Sequence, residues 1–169
     1  GAGLLALVLV YVVTKEATEK RGIALLAALL FALSPVSVRI SWQIRPDMWT
    51  LPFALFTTWA ALRSYRTGRL AYDLLAGVGI GLTVASKYNG FVIALVLPVA
   101  HMLRIGWRGL LWPGLWMAAI ISVLTFALAM PYALLNIEQV RDAMQAITEL
   151  QGIQVQDDRW FYVGYLLQN

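Results

Sequence analysis

Long apolar runs, cut by three short polar clusters, leave this chain few ways to fold. The runs occupy roughly residues 3–13, 23–38, 48–62, 74–86, 91–103 and 110–130. The clusters are Arg39-Ile40-Ser41-Trp42-Gln43-Ile44-Arg45-Pro46-Asp47, then Ser86-Lys87-Tyr88-Asn89, then Pro131-Tyr132 with the polar segment behind it. A helix that crosses a bilayer core needs about 20 predominantly apolar residues. The chain is 60% apolar and only 13% charged, with a mean hydropathy of +0.72, whereas an ordinary soluble domain is about 25% charged. The expected fold is therefore all-α: a polytopic transmembrane helix bundle. Residues 1–135 would supply a partial first span and about five full ones. Residues 136–169 would supply an extracytoplasmic amphipathic helix and a loop leading to a further span.

The loops alternate in charge. Lys15, Lys20, Arg21, Arg63, Arg66, Arg69, Arg104 and Arg108 fall in one set; Arg39, Arg45, Lys87, Arg141 and Arg159 fall in the other, whose tail also holds five acids. Short loops rich in Lys and Arg stay in the cytoplasm. This assigns the three polar clusters to the extracytoplasmic face of a multi-pass protein, in a prokaryotic plasma membrane by expectation. It also explains the pI near 9.6 without nucleic acid, since no basic stripe with interleaved stacking aromatics is present. Trp42, Trp49, Tyr88 and Tyr132 fall at outer span ends and Trp107 and Trp112 at an inner one, the level that amphipathic rings prefer.

The chain opens at Gly1 with neither Met nor a basic leader, and Leu166-Leu167-Gln168-Asn169 reads as the start of another apolar run, so an internal fragment is expected. It holds no cysteine, which excludes disulfides and thiolate metal sites. Pro113 is expected to open a helix, and Pro98 to kink a span. From Asn136, Ile137, Val140, Met144, Ile147 and Leu150 recur at helical spacing with charged residues between them, and Gly152 is a natural stop. That helix suits the membrane surface or a lid over the outer face.

Charge at membrane depth is costly and tends to carry function. Arg45 and Asp47 flank a proline at the start of a span. Asp47 suits the positive end of a helix dipole, and Arg39 and Arg45 have the geometry to grip a phosphate. Lys87, between two short apolar runs, needs a carboxylate partner such as Asp47 or an anionic ligand, with Tyr88 and Asn89 to orient it. The plainer reading of these cations is snorkelling to the interface. Gly77-Val78-Gly79-Ile80-Gly81 lacks the strand and spacing of a nucleotide loop; Gly77 and Gly81 match instead the small-residue spacing of close helix packing. His101, the sole histidine, is read as interfacial, with no carboxylate near it in sequence and no Ser-His-Asp set.

Several of these stretches resemble one family. Ala32-Leu33-Ser34-Pro35 through Arg45-Pro46-Asp47-Met48 resembles an outer loop of the family 39, protein O-mannosyltransferase-like group of polytopic membrane glycosyltransferases, of the C-type superfold. Gly81-Leu82-Thr83-Val84-Ala85-Ser86-Lys87-Tyr88-Asn89-Gly90 is similar to that group's GLxxxSKYxG segment. Met130-Pro131-Tyr132-Ala133-Leu134-Leu135-Asn136 is similar to its PYxLLD segment, with Asn in place of the usual Asp, and Trp160 and Tyr162 fit the aromatic stretch that follows. The resemblance implies inverting transfer of a sugar from a polyprenyl-phosphate carrier to an extracytoplasmic acceptor, protein or glycolipid. It implies that the main catalytic base lies upstream of Gly1, with Asp47 a secondary candidate. Arg39, Arg45, Lys87, Tyr88, Asn89 and Tyr132 would bind substrate. No metal ligand set is read, and a divalent cation stays open. The alternatives are a transporter or flippase for an amphipathic anionic lipid, using the same cations without a base, and a non-catalytic scaffold subunit.

Overall fold

Each helix of the bundle ends where the sequence gives it a reason to. The computed structural model describes residues 1–35, 37 and 47–131. Arg39, Arg45, Tyr132 and the expected amphipathic helix lie outside the described residues. Within them the chain is all-helical: α1 (Ala2–Thr18), α2 (Arg21–Leu33), α3 (Asp47–Thr67), α4 (Leu70–Ser86), a 3₁₀ segment (Tyr88–Leu95), α5 (Val96–Ile105), a second 3₁₀ segment (Gly106–Leu111) and α6 (Pro113–Ala129). The chain divides into two compact units, Gly1–Ala129 and Met130–Asn169. The second falls almost wholly outside the described residues.

α1 closes on Glu19, whose N–H bonds the Lys15 carbonyl at 2.9 Å with a left-handed φ of 59°. Lys15 in the last turn suits the negative end of the helix dipole. Gly68, at φ 64°, donates its N–H to the Ser64 carbonyl at 2.7 Å, the left-handed cap that glycine adopts without strain. α3 and α4 therefore form a tight antiparallel hairpin. Pro113 opens α6, as expected. Pro98, expected to kink a span, stands inside the stretch Tyr88–Leu111, just after 3₁₀ geometry passes to α at Val96.

Glycine sets the spacing of the bundle. A Cβ at Gly77 would collide with the Ala118 backbone, and one at Gly81 with Ser122 and Thr125. On the other face of α4, a Cβ at Gly79 would meet Thr57 and Phe56. α4 is thus the central helix, its backbone pressed against α3 on one side and α6 on the other, which is the close packing that small residues permit.

The contacts also fix directions. Gly77 meets Ala118 and Gly81 meets Ser122, so α4 and α6 run parallel. Gly90 packs on Thr83 and His101 reaches Asp73, so the stretch through α5 returns antiparallel along α4. Glu16 pairs with Arg63 at 3.0 Å and Glu19 with Arg66 at 2.6 Å, so α1 and α3 run parallel.

The distribution of side chains is the reverse of a water-soluble domain. The interior is mostly small or polar: Ala60, Ala61, Ala76 and Ala118 cluster with Leu97, and Thr57, Ser64, Asp73, Thr83 and His101 are buried as well. The outside is large and apolar, with Leu33, Val123 and Leu128 exposed, the last by 83%. Among the described residues one stretch, Tyr88–Leu111, is long and apolar enough to cross a membrane, at 24 residues and a hydropathy of 1.7. Arg21–Leu33, Leu70–Ser86 and Pro113–Ala129 are apolar but shorter than the full spans expected. Leu70–Ser86 is bounded by the turns at Gly68 and Lys87.

Candidate functional site

The second polar cluster forms a stiff, solvent-facing turn. Thr83 and Ser86 each return their hydroxyl to the carbonyl four residues earlier, Gly79 at 2.7 Å and Leu82 at 2.9 Å. These bonds compete with continuation of the helix. Lys87 then adopts extended geometry, φ −157° and ψ 120°, with its N–H still bonded to the Thr83 carbonyl at 3.0 Å. Its own carbonyl accepts from Gly90 at 2.8 Å. Gly90 must be small, because a Cβ there would press on Thr83. Lys87, Tyr88 and Asn89 are all exposed on this turn. The backbone is held twice while three polar side chains stand exposed.

Helix directions bring other residues to the same end. Asp47 stands ten residues before Thr57, and Ser86 seven beyond Gly79, or about 15 and about 10 Å along antiparallel helices that touch at that level. The first turn of α3 therefore lies beside the Lys87 turn. Parallel to α4, α6 ends with Ala129 at this end as well. Arg39, Arg45 and Tyr132 lie outside the described residues.

The opposite end holds a cluster that the sequence did not reveal. Asp73, in the first turn of α4, is fully buried. Ser64 Oγ donates to its Oδ1. The Trp112 indole N–H donates to Oδ2 at 3.2 Å. His101 Nε2 lies 3.0 Å from Oδ1, and the His101 and Trp112 rings stack with centroids 6.2 Å apart. The reading of His101 as interfacial and without a carboxylate is corrected here: it is 1% exposed and bonded to one. Antiparallel pairing of α4 and α5 brings level two residues 28 apart in sequence. The signal that was available is a helical face: Asp73, Ala76, Gly77 and Ile80 recur at the spacing of one buried stripe.

Ser64, His101 and Asp73 do not form a nucleophilic triad. A triad needs the base on the nucleophile and the acid behind the base; here serine and histidine both go directly to the carboxylate. The cluster has no room either, since a Cβ at Gly114 would strike Asp73 and the Trp112 indole, and one at Gly109 the His101 backbone. It ties α3, α4, α5 and the start of α6 together. Among the described residues no group of three His, Cys, Asp or Glu side chains could hold a metal ion.

Residues 2–133 match the family model for dolichyl-phosphate-mannose-protein mannosyltransferase, and the chain belongs to that family. It is accordingly a glycosyltransferase of the mannosyltransferase type. No curated protein and no solved structure gives a significant match to the chain.

Proposed function

We propose that this chain is part of a multi-pass membrane enzyme that takes a sugar from a polyprenyl-phosphate carrier and passes it, with inversion, to an acceptor on the extracytoplasmic side. The observation that carries the reading is the turn at Lys87: a cation, a phenol and an amide exposed on a doubly bonded backbone, beside the first turn of α3 and the last of α6. The family supports transfer from a mannosyl donor. The apolar exterior and small, polar interior support lipid as the surrounding solvent, because helices in lipid associate through small residues and buried hydrogen bonds rather than through large apolar faces.

The chemistry requires what this end offers. A departing polyprenyl phosphate leaves as an anion, and cations fixed where charge develops lower the barrier. Lys87 supplies one such charge; Arg45, two residues before α3, and Arg39 supply others in this reading. The acceptor hydroxyl must lose its proton to a carboxylate, and Asp47 is a carboxylate at the right end. The Lys and Arg residues of the opposite loops orient the Lys87 end away from the cytoplasm. The substrate-binding set is thus Arg39, Arg45, Lys87, Tyr88, Asn89 and Tyr132.

The test is transfer from a radiolabelled polyprenyl-phosphate sugar by the full-length protein in membranes. Lys87→Ala and Arg45→Ala are each expected to lower the rate on the order of 10²–10³-fold, the cost of one electrostatic contact to the developing anion, with membrane insertion unchanged. Wild-type rates in both variants would defeat the assignment. Movement of the carrier lipid across the bilayer with no sugar transferred would make the protein a flippase instead.

A further inference from the structure

At the end of the bundle opposite Lys87, the turn from α5 to α6 brings Leu103, Arg104, Trp107, Arg108 and Leu111 to the surface. Trp107 and Leu111 are each 77% exposed. The turn is not loose. Gly106, at φ 71°, reverses the chain; Gly109 packs on the His101 backbone; and Trp112 is bonded to buried Asp73. Arg104 lies across Gly68 in the neighbouring α3–α4 turn.

Charge at this end is unbalanced. Glu16 and Glu19 are engaged by Arg63 and Arg66, and Asp73 is sealed inside. Among the described residues Lys20, Arg21, Arg69, Arg104 and Arg108 make no ion pair with an acid. Retention of a loop in the cytoplasm requires only that cations be present. It does not require an exposed indole flanked in sequence by two exposed arginines, or a turn pinned at both ends.

We infer that the α5–α6 turn is a docking surface for anionic phospholipid headgroups, with Trp107 and Leu111 seated at the acyl boundary and the Arg104 and Arg108 guanidinium groups on the phosphates. An exposed indole beside exposed leucines fits the headgroup level of a bilayer, and guanidinium groups bind phosphate through paired N–H donors. A soluble acidic partner would satisfy the cations but leave the apolar lip in water. The inference rests on the reading of the bundle as membrane-embedded.

The test uses the full-length protein reconstituted in phosphatidylcholine vesicles that contain, as a minority component, either brominated phosphatidylcholine or brominated phosphatidylglycerol. Bromine quenches nearby indoles, and the Trp107 signal is the difference between wild type and Trp107→Phe. Each cation at an anionic surface enriches anionic lipid about fivefold. Brominated phosphatidylglycerol is therefore expected to quench Trp107 on the order of tenfold more effectively than brominated phosphatidylcholine. Arg104→Gln with Arg108→Gln is expected to abolish that preference, whereas Arg104→Lys with Arg108→Lys, which keeps the charges that direct insertion, weakens it. Lys20→Gln with Arg21→Gln leaves it in place. Equal quenching by the two lipids in the wild type overturns the headgroup inference and leaves the membrane reading standing. Quenching by neither lipid defeats the membrane reading itself. A loss of preference in the Lys20 and Arg21 variant as large as in the Arg104 and Arg108 variant would assign the effect to bulk charge and overturn this site.

Discussion

The two ends of the α3–α4 hairpin hold polar side chains under opposite conditions. At one end Asp73 is sealed from solvent and its carboxylate is bonded by Ser64, Trp112 and His101. At the other, Lys87, Tyr88 and Asn89 stand exposed on a turn whose backbone is hydrogen-bonded at Lys87 and Gly90. A buried polar group whose partners are all protein has nothing left with which to bind a ligand; its energy goes into holding helices together. An exposed group on a stiff backbone contributes little to folding and can be reached from outside. The first end is architecture, and the second is the end to which the proposed transfer is assigned.

The sharpest way to break this contrast is Asp73→Ala. It strands the Ser64 hydroxyl, the Trp112 indole N–H and His101 in the interior. Each buried group left without its partner costs about 1–3 kcal/mol, so the set together costs several, which would show as a fall in the unfolding midpoint in detergent. Asp73→Asn keeps one acceptor oxygen and is expected to cost less. An Asp73→Ala protein as stable as wild type would mean that the cluster does not clamp the bundle.

Lys87→Ala makes the reverse prediction. Its unfolding should stay within about 0.5 kcal/mol of wild type, as for most surface substitutions, while transfer falls by the orders of magnitude stated above. If unfolding and transfer fell together, the turn would be structural and the contrast would collapse.

The contrast also explains what the sequence made legible. The break at Lys87 could be read directly, because a lysine between two short apolar runs has no other place to go. The close approach at Gly77 and Gly81 could be read too, since glycines four apart on an apolar helix have one physical use. The Asp73 cluster could not. Asp73 and His101 are separated by 28 positions, and their pairing depends on the register of two helices set by glycine contacts elsewhere. Its donors Ser64 and Trp112 come from two further elements, so no local spacing announces the set. Exact helix ends are less legible: hydropathy marks where apolar residues stand, but the extended backbone at Lys87 and the left-handed cap at Gly68 decide where helices stop.

A third substitution separates packing from polarity midway along the hairpin. Gly81→Val would drive a branched side chain into the Ser122 carbonyl and Thr125, with no change of charge. Overpacking of this kind costs about 1–3 kcal/mol, less than loss of the Asp73 carboxylate, and again reads out as the unfolding midpoint. A larger loss than that of Asp73→Ala would place the main clamp in the glycine contacts.

The smallest effect is expected at Glu19, and it isolates the variable that matters. Glu19 is charged, makes a short contact of 2.6 Å with Arg66 and sits at the same end of the bundle as Asp73. It differs in exposure, with 74% of its side chain in solvent. If position along the hairpin governed the energy, Glu19→Ala would resemble Asp73→Ala. If exposure governs it, water already solvates both charges, and the pair contributes at most about 0.2–1 kcal/mol. That remainder should shrink further as added salt shortens the screening length below about 10 Å. Unfolding of Glu19→Ala and wild type across a salt series distinguishes the two: convergence at high salt assigns the difference between the ends to burial, and a constant gap of several kcal/mol assigns it to location.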